Sequence, residues 1–226
     1  LGRKSPCRPA LTGGGVYAIN ATDSSNIESR VSAWFCGHEE KLELFRRGGD
    51  PYNETATVIF GYPVDRKSKT VDHSMQGAVG KATDLGCGYQ MGADRFRDYL
   101  NAGPLGMDPI FLEDIPELAK YPNPYKYVID KYRKANYPIK DMWDTLQSTI
   151  FDMARKSCDY ELGPLLVRHE RIWLPSGLSL HYPGLHKTKE GNWAYESRDG
   201  GLSFLFGGKL LENIIQALSQ IIILRQ

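Results

Sequence analysis

QGAVGKATDLGCGYQMG, residues 76–92, and the acidic run DSSNIESR, residues 23–30, decide how this chain is read. In the first run Lys81, Leu85 and Tyr89 recur at four-residue spacing, which stacks side chains on one face of an α-helix. That face carries a cation, an apolar contact and an aromatic hydroxyl in line. Such an order suits phosphate at one end and a base with its sugar at the other. In the second run Asp23 offers a carboxylate of the kind that holds the metal in phosphoryl transfer. Together the two runs point to chemistry on nucleoside triphosphates.

Composition sets wider limits. With 226 residues, 41% of them hydrophobic, the chain can bury a sizeable core as one large or two small domains. The formal charge is only +1, so contact with nucleic acid depends on local patches rather than on a polycationic surface. Cys7, Cys36, Cys87 and Cys158 lie far apart with no CxxC pair, which argues against zinc or a disulfide framework. A reducing, intracellular and cytoplasmic setting is expected, in the host cytoplasm if the protein is viral. The first residues are polar and rich in Gly and Pro, and no secretory leader is expected. The apolar run at residues 221–224 is far too short to span a bilayer, so a soluble chain without membrane contact is expected.

Periodicity gives an element order. Residues 1–15 read as irregular, and residues 16–21 as a strand leading to Asp23. From Ile27 the pattern turns helical, with Ile27, Val31, Trp34 and Phe35 on one side. A helix over residues 39–47 stops at Gly48-Gly49. Asp50 and Pro51 then read as N-cap and first turn of a helix that closes at Phe60-Gly61. After a charged linker at residues 63–72 comes the helix 73–91. The Pro- and Gly-rich stretch that follows reads as an extended connection. Helices over residues 128–135 and 139–156 precede a hairpin of residues 165–174 and 178–182 around Pro175-Ser176-Gly177. Residues 193–197 add a strand, and an apolar helix over residues 209–224 ends the pattern. The expected class is α+β, a mainly helical subdomain inserted into a partial antiparallel sheet.

Each candidate site has a plain alternative. Ser25-Asn26-Ile27-Glu28 fits the S-x-x-E capping box, which would also hold Asp23 rigidly. Lys81 and Tyr89 fit an ordinary amphipathic helix. A phosphate loop at Gly80-Lys81 is rejected because Met75 and Ala82 occupy its required positions, and Leu210 rules it out at Gly207-Gly208-Lys209. The five histidines never fall at metal-ligand spacing. His73, one turn before Gly77, is a further candidate for phosphate. Arg46-Arg47 and the 66–69 basic run read mainly as solvated, with DNA-backbone contact as the other reading. The tyrosines at 121, 125, 127, 132 and 137 could stack on bases, though a tyrosine-rich helical surface is more often packing.

In combination these segments closely resemble the family A DNA polymerases of the bacterial polymerase I type, especially their phage branch. The first family motif, D-x-S-x-I-E-x-R, is matched by Asp23, Ser25, Ile27, Glu28 and Arg30, with Asn26 where the family has Gln. The second places Arg, Lys, an aromatic or Leu, and Tyr at four-residue steps; Lys81, Leu85 and Tyr89 match, and Gly77 stands in the arginine position. AWFCG, DPYNETATVIFG, YRKANYPIKDMW, LPSGLSLHY and GGKLLENIIQAL are similar too, so the resemblance runs from about Val16 onward.

The resemblance implies a right-hand polymerase, with residues 1–33 as N-terminal segment and palm strand, 34–164 as helical fingers, and 165–226 as hairpin and return helix to the palm. It implies template-directed addition of deoxynucleotides to a primer 3′ end, with primer-template DNA and dNTP as partners and two magnesium ions as cofactors. Asp23 becomes a metal ligand and catalytic residue, and Lys81 a catalytic and triphosphate-binding residue. Ser25, Asn26, Ile27, Glu28, Tyr52, Leu85 and Tyr89 become substrate contacts, Tyr52 where the family often places a phosphate contact. Arg30, Asn213 and Gln216 become DNA contacts. Glu28 would crowd a ribose 2′-hydroxyl. Restoring arginine at Gly77 is expected to tighten nucleotide binding. In the family a hairpin carrying His-Asp-Glu supplies the second metal ligand after the helix like 209–224. Its absence here reads as a fragment of fingers and part of the palm, inactive alone and completed by a partner fragment. The alternatives are a catalytically silent nucleic-acid-binding piece, half of a split polymerase, and a single-subunit RNA polymerase.

Overall fold

The computed structural model describes residues 24–225. The strand expected at residues 16–21, and Asp23 itself, lie outside the described residues.

Helix α1 (Ile27–Phe35) buries Val31, Ser32 and Ala33. It is packed from two sides, by α2 (Glu39–Arg46) and by the last helix of the chain. The inward stripe is therefore broader than the sequence suggests, and Trp34, expected on that stripe, is 53% exposed. No capping box forms: the N-cap is Asn26 at φ 54°, without a side-chain cap bond. Helix α3 (Pro51–Phe60) begins and ends as its sequence predicts. The Asp50 carboxylate accepts from the Tyr52 N–H at 3.0 Å, Pro51 occupies the first turn, and Gly61 closes the helix at φ 79°.

Helix α4 (Ser74–Cys87) crosses α3 in very close contact. A Cβ added at Gly80 would lie 2.3 Å from the Tyr52 carbonyl oxygen, so only glycine permits this crossing. The helix stops four residues short of the expected Met91. Gly88 and Tyr89 form a turn, and Gln90 adopts a left-handed φ of 68°. The Trp143 indole N–H donates to the Gly88 carbonyl at 3.0 Å, fixing that turn against the rest of the protein.

Helix α5 (Ala93–Asn101), absent from the sequence-based order, buries Phe96 and Leu100 one turn apart. The Pro-rich stretch is not extended. It folds into 3₁₀ turns at Pro104–Gly106 and Leu112–Asp114 and the short α6 (Pro116–Ala119). Its Ile110, Leu112, Ile115 and Leu118 join one core with Val79, Phe96 and residues of α7 (Pro124–Ala135). Pro104, Pro116 and Pro124 each begin an element at its first turn, and the apolar residues between them are buried, which outweighs the local preference for extension. Tyr125 and Tyr132 are buried in this region, whereas Tyr137 is exposed.

Helix α8 (Tyr137–Met153) leads into an antiparallel sheet of β1 (Asp159–Leu162), β2 (Leu165–Arg168), β3 (Arg171–Trp173) and β4 (Ser179–His181) in that order. The expected arm 165–174 is broken into β2 and β3 by a turn with Glu170 at φ 54°, while the turn around Pro175-Ser176-Gly177 forms as read. A second antiparallel sheet holds β5 (His186–Lys187), β6 (Trp193–Glu196) and β7 (Leu202–Leu205). Helix α9 (Gly207–Leu224) then packs on α8 and α1, and its Leu211, Ile214 and Ile215 share a core with Ile150, Val167 and Ile172. Helices and antiparallel sheets together make the α+β class. Among the described residues both sheets lie between α8 and α9 in chain order.

The start of α9 is held from a distance. Its Gly207 and Gly208 N–H groups donate to the side-chain oxygens of Gln147 at 3.0 Å and Gln90 at 2.9 Å, which satisfies donors the helix cannot use internally. A Cβ at Gly207 would sit 2.0 Å from the Trp143 carbonyl oxygen. Gly207→Ala should therefore destabilise the protein by about 1–3 kcal/mol through overpacking. Gly201→Ala, whose added Cβ meets only Asp199 at 3.8 Å, should change little. Urea unfolding of the two variants checks the difference.

Candidate active site

Residues from three separate segments converge where the end of α4 faces the start of α1. The Tyr89 hydroxyl donates to a Glu28 carboxylate oxygen at 3.4 Å. Burial, then the neighbouring Glu28 carboxylate, pushes the Tyr89 hydroxyl well above the usual tyrosine range, so it remains a donor. Beside them the Tyr52 hydroxyl donates to the Asn26 side-chain oxygen at 2.7 Å. This contact explains why Asn26 does not cap its own helix. Its carboxamide, carried by a left-handed backbone, is turned toward α3 instead. Glu28, Leu85 and Tyr89 line a cleft of about 30 Å³, room for roughly one water. Any larger ligand here must lie on the outer rim rather than between these side chains.

Tyr89 is not on the regular helix that its spacing suggests. It sits just past the Gly88 C-cap and reaches Glu28 because the chain turns there. Lys81 remains on α4, half-buried and without an ion pair among the described residues. Ser25 is exposed, and its carbonyl accepts from Arg30 Nε at 3.1 Å. The Arg30 guanidinium lies 4.4 Å from the centre of the Phe45 ring, and Ile27 packs against the α8–α9 core. Asn213 Nδ2 donates to the Tyr182 hydroxyl at 3.1 Å, and the exposed Gln216 bonds Glu212 one turn back on α9. Asn213 and Gln216 thus belong to α9 and the segment just after β4 rather than to the Glu28–Tyr89 cluster. Position 77 is also occupied in a way the sequence does not reveal: a Cβ added there would lie 2.6 Å from Arg66 Cβ. Arginine introduced at Gly77 alone would collide with that side chain.

The chain is 31% identical over 220 residues to a DNA polymerase of Bacillus phage SP02, an alignment covering 88% of this chain and 30% of that protein. It is 36% identical over 84 residues to the thermostable DNA polymerase I of Thermus thermophilus and that of Thermus aquaticus, covering 37% of this chain and 10% of each relative. The chain belongs to the family A DNA polymerases. No family model matches it. The chain spans under a third of the phage polymerase's length. No helix among the described residues is long and apolar enough to cross a membrane.

Behind the polymerase motif residues lies a pair that sequence reading missed. Lys41 Nζ meets Asp84 Oδ1 at 2.6 Å, with side chains only 8% and 1% exposed. Ser29 donates to the other Asp84 oxygen at 3.3 Å, and Thr55 to Oδ1 at 3.4 Å. One carboxylate therefore joins α1, α2, α3 and α4. Asp84 stands one turn after Lys81 in a stretch otherwise buried and small, and a lone acid on such a face was the available signal. Lys41 gave none, since lysine is ordinarily assigned to the surface. Burial pushes the nearby Cys36 and Cys87 thiols up to about 12.

Asp23, the sole proposed metal ligand, lies outside the described residues. Among the described residues no three His, Cys, Asp or Glu side chains converge on a common point, and Glu28 is engaged by Tyr89. The described residues do not by themselves form a metal centre. Removing one partner of the buried pair leaves a charge uncompensated, so Lys41→Met should destabilise by about 3–5 kcal/mol. Lys41→Met combined with Asp84→Leu should recover much of that loss, as read by chemical denaturation.

Proposed function

We propose that this chain carries the nucleotide-selecting face of a DNA polymerase that adds deoxynucleotides to a primer 3′ end. The observation carrying the reading is the Tyr89–Glu28 hydrogen bond, which brings the two motifs together although 61 residues separate them. In this reading residues 34–164 are fingers, and residues 1–33 with 165–226 belong to the palm. Lys81, free of an internal ion pair among the described residues, meets the triphosphate as a point charge. Leu85 and Tyr89 present apolar surface to the sugar and base. Glu28, held in place by the Tyr89 hydroxyl, occupies the space a ribose 2′-hydroxyl needs. Tyr52 and Asn26, joined by their hydrogen bond, fix the spacing between α3 and the start of α1. Ser25, Ile27 and Arg30 shape the same wall, and Arg30, Asn213 and Gln216 lie toward primer-template DNA.

Asp23 is proposed to hold magnesium, an ion that in such enzymes activates the attacking oxygen and stabilises the leaving one. A second carboxylate would come from a His-Asp-Glu segment outside this sequence. The described residues act differently: they bind, orient and select the nucleotide.

Two substitutions test the reading in a primer-extension assay of the polymerase assembly that contains this chain. Asp23→Asn should abolish extension while leaving folding intact; activity within about tenfold of the parent, a barrier change near 1.4 kcal/mol, would reduce Asp23 to a helix-start residue. Glu28→Ala should raise ribonucleotide incorporation relative to deoxynucleotide. An unchanged ratio would remove Glu28 from sugar selection. Comparing dNTP with rNTP use by the parent protein also separates DNA synthesis from RNA synthesis.

A further inference from the structure

We propose that Arg66 is the second cation of the triphosphate site on the Lys81 face of α4, delivered there by the 61–73 loop through the space that Gly77 leaves open. The proposal rests on the nucleotide-binding reading above. Gly77 lies one helical turn before Lys81, so the two positions share a face. A Cβ added at Gly77 would lie 2.6 Å from Arg66 Cβ and 3.4 Å from Arg66 Cδ. The aliphatic stem of Arg66 therefore fills the volume in which a side chain at 77 would stand. The guanidinium continues to Tyr52, 5.0 Å from its ring centre. Tyr52 in turn places its carbonyl against Gly80, the residue next to Lys81. Arg66 and Lys81 are thus brought to the same side of α4, one from outside and one from the helix itself.

The arginine is held, yet not used up. Its Nε and Nη2 donate to Asp50 Oδ2 at 3.0 and 2.8 Å. The other Asp50 oxygen is committed to capping α3 at the Tyr52 N–H, so the carboxylate is a fixed anchor. A guanidinium has five N–H donors in a rigid fork, and Nη1 has no hydrogen bond among the described residues. The side chain is 32% exposed, enough to present that free edge to a ligand. A permanently charged, pre-oriented fork beside a point-charge lysine matches an oligophosphate better than a single phosphate. The chemical class is the tail of a nucleoside triphosphate.

The test measures dNTP affinity and thermal midpoint together for the full chain and its variants. Lys81→Ala reports on the nucleotide-binding reading, independent of Arg66. Arg66→Ala should weaken dNTP binding roughly ten- to a hundredfold, with Arg66→Lys intermediate. Binding of the unphosphorylated deoxynucleoside should be unchanged. Arg66→Ala combined with Gly77→Arg should regain most of the dNTP affinity, because the vacated stem volume admits a guanidinium from the helix. Gly77→Arg alone should not tighten binding. If Lys81→Ala weakens dNTP binding and Arg66→Ala only lowers the thermal midpoint, Arg66 is a loop staple and this proposal is overturned while the reading stands. If the unsubstituted chain binds no dNTP, both fall. Should Arg66→Ala fail to fold, Arg66→Lys and the Arg66→Ala, Gly77→Arg pair decide: parental dNTP affinity in Arg66→Lys, or no recovery in the folded double variant, overturns the proposal.

Discussion

The Asp84 carboxylate is the point on which the arrangement of the first four helices depends. It is nearly inaccessible to water, and Lys41, Ser29 and Thr55 all address it, supplying the partners that a buried carboxylate needs. Each donor comes from a different helix. A shift of any one helix would strand a charge or a hydroxyl, and the low local dielectric makes that expensive. The pair thus specifies position more than it adds net stability, since buried ion pairs often do no better than apolar residues of similar shape. Ser29 follows Glu28 directly, and Asp84 precedes Leu85. The residues facing the proposed nucleotide are in effect neighbours of the residues that fix the helices.

Close approach complements this electrostatic anchor. At Gly80 and Gly207 a single added carbon would meet a backbone oxygen within 2.3 Å. These contacts bring α3 onto α4 and α9 onto α8 with little freedom to slide. The Gln90 and Gln147 side chains then satisfy the start of α9 from two different elements. Gln90 follows Tyr89, so the turn that carries the tyrosine toward Glu28 also caps the final helix. Site geometry and core packing share the same few residues there.

Much of the helical order could be read from local signals. Asp50, Pro51 and Gly61 mark both ends of α3, because capping and proline geometry act over a few residues and need no tertiary help. The apolar spacing of α7, α8 and α9 is equally local. Reading failed where long-range packing won. The Pro-rich stretch between α5 and α7 reads locally as extended, yet Leu112, Ile115 and Leu118 are buried from it. Helix α5 is absent from the order that periodicity gives, although Phe96 and Leu100 stand one turn apart on its buried face. Ser25 and Glu28 fit a capping box, but Tyr52 and Tyr89 compete for Asn26 and Glu28 and take them.

The sequence by itself determined the kinship, because side-chain identities at fixed spacing in Asp23–Arg30 and Lys81–Tyr89 are properties of the chain order. It also determined which stretches could form helices, through periodicity and caps. Only the tertiary structure decided that Tyr89 leaves the helix and turns to Glu28, that Lys41 is buried against Asp84, and that Arg66 fills the space over Gly77. The reason is physical. Spacing and capping are set by neighbours along the chain, whereas a buried charge, a close helix crossing or a side chain filling another's vacancy exists only after distant segments have packed together.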